Sequence, residues 1–423
     1  MLAVIFNRYY AGVIAGGADG VDIAFFGWDW HVHGTALFNF VIAFAMFIVA
    51  VISPFLGAWA DGRASKKKFL AGYIVLGVFS TAMLATAGPG EWLWGAFWFI
   101  LADIGFAGGN VFYNAFLREL ASPDEMGKVS GWGWGTGYLG GGLLLMINLL
   151  MLQSPEIIGL PIDYFTVHHT FLSVAIWWGL FSIPLLVNVK ERAIPSGSDR
   201  GGIGMAVRRL KSTFRQIKSY KDLVRFLVAY LFFNDGIETV IIMAAIFGDQ
   251  ELGMNQQLLI GYFLMIQFTA LIGSLLFGKL TDVIGNKTSL LITLVVWCLV
   301  VIFAYFIGWS GNPVTEFFIL GIIAGIVMGA SQSIARAMQG TFTPPGHEAE
   351  FFAFFSISGR FAAIFGPLTY GIVVLVTGSL RFGILSLILF FVVGMILLIG
   401  VNENEGRRAA EAAMDSNGLA ANG

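Results

Sequence analysis

The chain has 423 residues, 57% of them hydrophobic and only 12% charged, where soluble domains carry about 25% charged. That balance excludes a water-soluble globule, and a net charge of −2 with its cations in separate clusters excludes a nucleic-acid-binding face. One cysteine, Cys298, excludes a disulfide or cysteine–zinc framework.

At the N-terminus, Met1–Tyr10 is a short apolar run with Arg8 in its second half and no small-residue cleavage site, so no cleavable signal peptide is predicted. Residues 12–36 read as an outer loop. Asp29, His31 and His33 within it are residue types that ligate metals, but one arm without a second reads as solvated loop, and neither metal nor cofactor is predicted. His168-His169 is read the same way. Apolar runs of about 20 residues, enough to cross ~30 Å of hydrocarbon, fall at 37–59, 69–88, 92–115, 130–152, 169–189, 222–247, 258–278, 288–308, 316–338, 351–376 and 380–401. Trp92, Trp94, Trp98, Trp177, Trp178 and Trp309 lie near span ends, as interface anchors do.

The gaps between these runs alternate in charge. Residues 60–68, 114–129, 190–221 and 279–287, with the tail, hold most of the 24 Lys and Arg, whereas 12–36, 89–91, 153–168, 248–257 and 309–315 hold none. Cations retained on one side of a bilayer produce this pattern, so the prediction is an all-α polytopic membrane protein with its basic loops in the cytoplasm.

Within the longest basic gap, Ile203, Val207, Leu210, Phe214 and Ile217 recur at helical spacing beside Arg208, Arg209, Lys211, Arg215 and Lys218. An amphipathic helix in the headgroup layer is predicted there, tethering two bundles. The predicted organisation is a bundle over 1–189, a basic linker over 190–221, a second bundle over 222–401, and a disordered cytoplasmic tail over 402–423.

The two bundles repeat each other. Gly57-Ala-Trp-Ala-Asp61-Gly-Arg63 closes one span and Gly278-Lys-Leu-Thr-Asp282 closes a later one, each with Gly and Asp four apart and cations just beyond. The 221-residue offset predicts six spans per half. Too few residues precede position 12 for a full first span, so the expectation is a chain that begins inside its first helix.

Twelve spans, a central linker and the Gly-x-x-x-Asp turn resemble the major facilitator superfamily. Phe112-Tyr-Asn114-Ala-Phe-Leu117, Val129-Ser130-Gly131-Trp-Gly-Trp-Gly135-Thr-Gly137-Tyr138, Asn234-Asp235-Gly236, and Gln332-Ser-Ile-Ala-Arg336 through Pro344-Pro-Gly346 to Glu348-Ala-Glu350-Phe-Phe352 resemble its vacuole-effluxer (autophagy-related protein 22-like) branch, in bacterial form. The resemblance implies a secondary transporter, with amino-acid efflux the activity of the fungal relatives. It also implies that the Asp of the repeated turn locks helix ends in one state of the cycle. The branch's first helix carries an Asp-containing stretch that this chain lacks.

Depth along the spans marks candidate residues. Asp103, Asn234, Asp235, Gln267 and Arg360 lie near span centres, with Glu238 one turn from Asp235 and Gln332 a turn inside a span end. Each mid-bilayer charge costs roughly 2.5–3.5 kcal/mol facing lipid, so these residues are expected to face a wet cavity or one another as a substrate or proton site. Gly57, Asp61, Arg63, Gly278, Asp282 and Arg336, at cytoplasmic ends, are read as gate residues without substrate contact, Arg336 also as a snorkelling anchor. Gly135-Thr-Gly137-Tyr-Leu-Gly140 matches a dinucleotide fingerprint but opens an apolar helix, so it is read as close packing between helices.

The reading that follows is a non-enzymatic, proton-coupled transporter of a small solute, working by alternating access as a monomer in a bacterial inner membrane, with a vacuolar membrane second. No Walker-type phosphate loop occurs. A lipid or drug exporter of the same fold and a transport-inactive receptor or scaffold stay open as alternatives.

Overall fold

The computed structural model describes residues 6, 9–17, 19–25, 28–161, 164–191, 203–215 and 217–421. Among them, eleven helices are long and apolar enough to cross a membrane, and they coincide with the eleven apolar runs. Helices are the expected solution, because hydrocarbon offers backbone N–H and C=O groups no partner outside the segment. In chain order the elements are β1 (Val21–Phe25), β2 (Trp28–Val32), α1 (Gly34–Arg63), α2 (Lys66–Met83), α3 (Trp92–Ala115), α4 (Leu117–Leu120), α5 (Met126–Gln153), α6 (Val167–Asn188), α7 (Ile203–Arg215), α8 (Lys221–Ile246), α9 (Gln256–Ile284), α10 (Asn286–Tyr305), α11 (Pro313–Phe342), α12 (Glu348–Thr377), α13 (Leu380–Ser386), α14 (Ile388–Ile399) and α15 (Glu403–Ala421).

Two compact units emerge. The first holds Met1–Leu56, Ala64–Tyr113 and Leu143–Arg192; the second holds Gly57–Arg63, Asn114–Gly142 and Ala193–Gly423. Two stretches from the first half of the sequence therefore cluster with the second-half helices. The linker residues 192–202, including Pro195 and Arg200, lie outside the described residues.

In the first unit a π-helical turn, Tyr10–Ile14, is buried with Phe6 among α1, α3 and α6. The Phe6 ring stacks on Phe99 with centroids 5.1 Å apart, and the Tyr10 hydroxyl donates to the Trp92 carbonyl at 3.0 Å. The outer stretch is not a plain loop: β1 and β2 form an antiparallel hairpin in which Ile23 pairs with Trp30. Val21 and Ile23, two apart with Asp22 between them, explain it, since both pack on the buried aromatic cluster. Helices α2 and α3 cross at Gly77 and Gly105, where a Cβ on Gly105 would come within 2.5 Å of the Gly77 backbone.

The second unit is built on a seam of small residues. A Cβ on Gly273 of α9 would meet the Ile326 carbonyl at 1.9 Å, and one on Gly329 of α11 the Ala270 carbonyl at 2.0 Å. Close backbone contact of this kind gives helices dispersion and packing gains that lipid cannot match. Trp297 of α10 is buried, stacked 5.6 Å from Phe391 and donating to Ser331. Gly131 and Gly135, read in sequence as packing glycines, lie on Ser274 and Gly278 of α9.

The tail is helical, contrary to the expectation of disorder. Its Glu403 takes the Asn286 and Lys287 N–H groups at the start of α10, at 3.3 and 3.0 Å. Gly406 lies against Phe342, and Glu405 pairs with Lys221 at 2.7 Å, which holds its carboxyl below the ordinary glutamate value. That pair is present at neutral pH and is lost as pH falls through the lowered value. In the first unit Glu191 does for α2 what Glu403 does for α10: it takes the Lys66 and Lys67 N–H groups at 2.8 and 3.3 Å.

The α9–α11 seam yields a direct test. Gly329→Ala should lower the thermal unfolding midpoint of the detergent-purified protein by the equivalent of roughly 1–3 kcal/mol of overpacking. Gly137→Ala, whose Cβ would meet nothing within 4 Å, should leave the midpoint unchanged or raise it, because alanine is the better helix former.

Candidate functional site

The Gly-x-x-x-Asp turn at the end of α1 reaches across to another helix. Asp61 is 3% exposed, and its two carboxylate oxygens accept the N–H groups of Ala349 and Glu350 at 3.1 and 2.9 Å. It caps the N-terminus of α12, satisfying orphan donors and placing negative charge at the positive end of the helix dipole. Gly57 permits the approach, since a Cβ there would sit 2.6 Å from the Ala349 carbonyl. The second copy is the mirror arrangement: Asp282 accepts the Lys128 N–H at the start of α5, and Gly278 lies against Gly127 and Gly131. The offset relating Asp61 to Asp282 also relates Lys128 to Ala349. Arg63 stacks over Trp59 at 5.2 Å.

Arg336 does not snorkel. It is 5% exposed, with Nε donating to Ser130 Oγ at 2.9 Å, Nη2 to the Ser130 carbonyl at 2.7 Å and Nη1 to Asn114 Oδ1 at 3.3 Å. The guanidinium also lies 5.7 Å from the Trp134 ring centroid, and the Ser130 hydroxyl in turn donates to the Ser333 carbonyl at 2.7 Å. The result is a clamp joining α11 to α5 and to the end of α3.

Deeper in the second unit, Asp235 is fully buried, both oxygens 2.9 Å from the Gly366 N–H. Gly366 precedes Pro367, which has no N–H to give the helical ladder. A Cβ on Gly366 would approach Thr239 Oγ1 to 2.0 Å and Asp235 Oδ1 to 2.6 Å, so glycine is required for the carboxylate to reach the amide. Asn234 adds a contact from Nδ2 to the Gly359 carbonyl at 3.4 Å, beside half-buried Arg360. Half-buried Glu238, one turn on, is within electrostatic reach of the Tyr138 and Tyr230 phenols. The Tyr138 hydroxyl donates to Gln332 Oε1, which brings α5, α8 and α11 to one polar cluster. Gln267 lies opposite Gly141 and Gly142. Asp103 belongs to α3 in the other unit.

Reasoning from sequence missed Ser130, Asn114, Trp134 and Tyr138 as polar or clamp residues, and Glu191 and Glu403 as caps. The last two had a signal: Val189-Lys-Glu191 and Val401-Asn-Glu403 each follow the final span of a half. It also missed the ion pair of Arg381 with Glu251 at 2.6 Å, on the cation-poor side. In the hairpin His31 pairs with Asp22 at 2.8 Å; among the described residues no group of three or more His, Cys, Asp or Glu is placed to hold a metal.

Eleven helices among the described residues that are long and apolar enough to cross a membrane, with this reciprocal capping, define a multi-pass membrane protein of major-facilitator fold. The fold is shared with the proton:xylose symporter XylE bound to 6-bromo-6-deoxy-D-glucose, with a TM-score of 0.73 over 97% of this chain and 94% of that one at 15% identity. A bacterial homologue of the iron transporter ferroportin in its outward-facing state matches with a TM-score of 0.61 over 86% and 90% at 12% identity. The family described as "Vacuole effluxer Atg22 like" matches residues 18–411, and the chain belongs to it. The chain is 33% identical to the uncharacterized MFS-type transporter YxiO of Bacillus subtilis (strain 168), over 90% of this chain and 88% of that protein. It is 23% identical to autophagy-related protein 22-1 of Penicillium rubens, over 92% and 78%. YxiO is by name an MFS-type transporter, and the family to which the chain belongs is one of transporters and not of enzymes.

The clamp makes a prediction of its own. Arg336→Ala and Ser130→Ala should each destabilise the purified protein by about 1–3 kcal/mol, the cost of stranding buried polar groups. The double variant should lose clearly less than the two losses added together in thermal unfolding.

Proposed function

We propose that this transporter moves a small solute by alternating access, driven by protons, across a bacterial cell membrane, and that it acts as a monomer. The observation that carries the reading is the polar cluster in the second unit. Glu238 is a half-buried carboxylate inside a membrane span, next to a hydrogen-bonded Tyr138–Gln332 pair and one turn from Asp235. A carboxylate in such a place is expensive unless it changes charge or holds a ligand. In this reading Glu238 and Asp235 carry the proton, and Arg360, Asn234, Gln267 and Gln332 contact the solute.

Asp235 has a second duty, holding α8 to α12 at the Gly366–Pro367 step. Proton binding would weaken its grip on the Gly366 amide, which offers a physical route from protonation to helix movement. Gly57, Asp61, Arg63, Gly278, Asp282 and Arg336 are the cytoplasmic gate in this reading. Asp61 and Asp282 hold the starts of α12 and α5 by only a few hydrogen bonds to helix-end N–H groups, strong enough to hold and weak enough to break within a transport cycle.

Amino acids are the proposed solute class, on the strength of membership in a family named for vacuolar efflux. The test is radiotracer accumulation in proteoliposomes under an imposed pH gradient, screened over amino acids and sugars. Glu238→Gln and Asp235→Asn should abolish gradient-driven accumulation, and Glu238→Gln should still exchange labelled for unlabelled solute. Gradient-driven accumulation equal to that of the unmodified protein in both variants would remove the carboxylates from the coupling.

A further inference from the structure

Helix α15 is fastened to the second half of the chain. Glu403 caps α10, Asp222 accepts the Asn402 N–H at 2.8 Å, and Glu405 pairs with Lys221 at 2.7 Å. Gly406 seats on the Phe342 ring at the end of α11, where a Cβ would come within 2.5 Å of the ring. Ala410, one turn on, is fully buried. Gly406 and Ala410 thus form the buried edge of the helix.

The edge beside it carries Arg407 and Glu411, and it reaches a stretch from the first half of the sequence. Arg407 Nη1 donates to Asp124 Oδ1 at 2.9 Å, and its Nε donates to Glu411 at 3.0 Å. Arg407 and Glu411 also lie within electrostatic reach of Arg118 in α4. Arg118 and Asp124 flank residues 119–123, the connection from α4 to α5. A cation and an acid on the tail therefore meet an acid and a cation around that connection.

The same stretch is held from α9. Asp124 stands four residues before Lys128, whose N–H Asp282 accepts, and the Asp124 and Glu125 carboxylates lie within electrostatic reach of Asp282. Their charges repel the carboxylate that caps α5, and Arg407 offsets one of them. Between them and Lys128, Met126 is fully buried, its sulfur 2.9 Å from where a Cβ on Gly340 of α11 would sit. The start of α5 is thus kept on α11 by packing, by Asp282 and by Arg407. The Asp124 side chain is 80% exposed, so its bond to Arg407 is weak enough for a moving part to break.

We propose that α15 is a strap on the cytoplasmic gate: Arg407 and Glu411 hold the start of α5 against α11, and opening requires that hold to be released. The proposal rests on the reading of Asp282 and Asp61 as gate residues. It gives the tail a part in setting how often the gate opens and none in contacting the solute.

The experiment is maleimide labelling of the full, detergent-purified chain carrying Met126→Cys. Native Cys298 of α10, half-buried, is the internal reference, and mass spectrometry reads each site separately. Arg407→Ala should speed labelling at position 126 about two- to fivefold, the range for loss of one exposed ion pair, and leave Cys298 unchanged. Arg407→Lys should keep the slow rate, and Arg407→Glu combined with Asp124→Arg should restore it. Asp282→Asn should also speed labelling at position 126, which separates the two readings. Fast labelling in Asp282→Asn with no effect of Arg407→Ala would overturn the strap and leave the gate standing. No acceleration in Asp282→Asn would overturn the gate and the strap with it. Equal acceleration at position 126 and at Cys298, or a charge-swapped double variant as fast as Arg407→Ala, would also overturn the strap.

Discussion

Every helix begins with N–H groups that no residue within it can satisfy. Water takes care of them in soluble proteins. Near a bilayer it is a poor partner, and here side-chain carboxylates borrowed from elsewhere take its place. Asp61 serves α12, Asp282 serves α5, Glu191 serves α2 and Glu403 serves α10. Each bond does two things at once, satisfying a donor and setting a negative charge against a helix dipole. Much of the chain's architecture at the cation-rich ends follows from where these acids can reach.

Glycine supplies the other half of that geometry. A carboxylate reaches a foreign helix end only if the two backbones come close, and Gly57 and Gly278 stand one turn before Asp61 and Asp282 where those approaches are made. Gly366 plays the same part deep in the membrane for Asp235. The seam of α9 and α11 uses Gly273 and Gly329 for plain packing. Thus these glycines divide into those that let helices touch and those that let a charge touch an amide.

Fold was legible because its governing length is physical: about 20 apolar residues cross the hydrocarbon, and the sidedness of cations ordered the spans. Individual partners were not. Asp61 stood out in its turn, but the amides it caps lie 288 and 289 residues away. Depth at a span end suggested that Arg336 reaches for the surface; a serine 206 residues distant decides otherwise. Asp235 was found by depth alone, whereas its attachment to Gly366 needed the Gly-Pro step in α12 to be read as an available amide. Polar composition misled at the tail, where one glutamate at the right spacing fixes a helix.

The reciprocal caps also carry a symmetry. Residue i in the first half binds the counterpart of j in the second, and j is bound in return by the counterpart of i. That is the rule for two identical surfaces meeting about a two-fold axis. Two copies of a single half, meeting about such an axis, would make both bonds at once, so one sequence solution serves both helix ends.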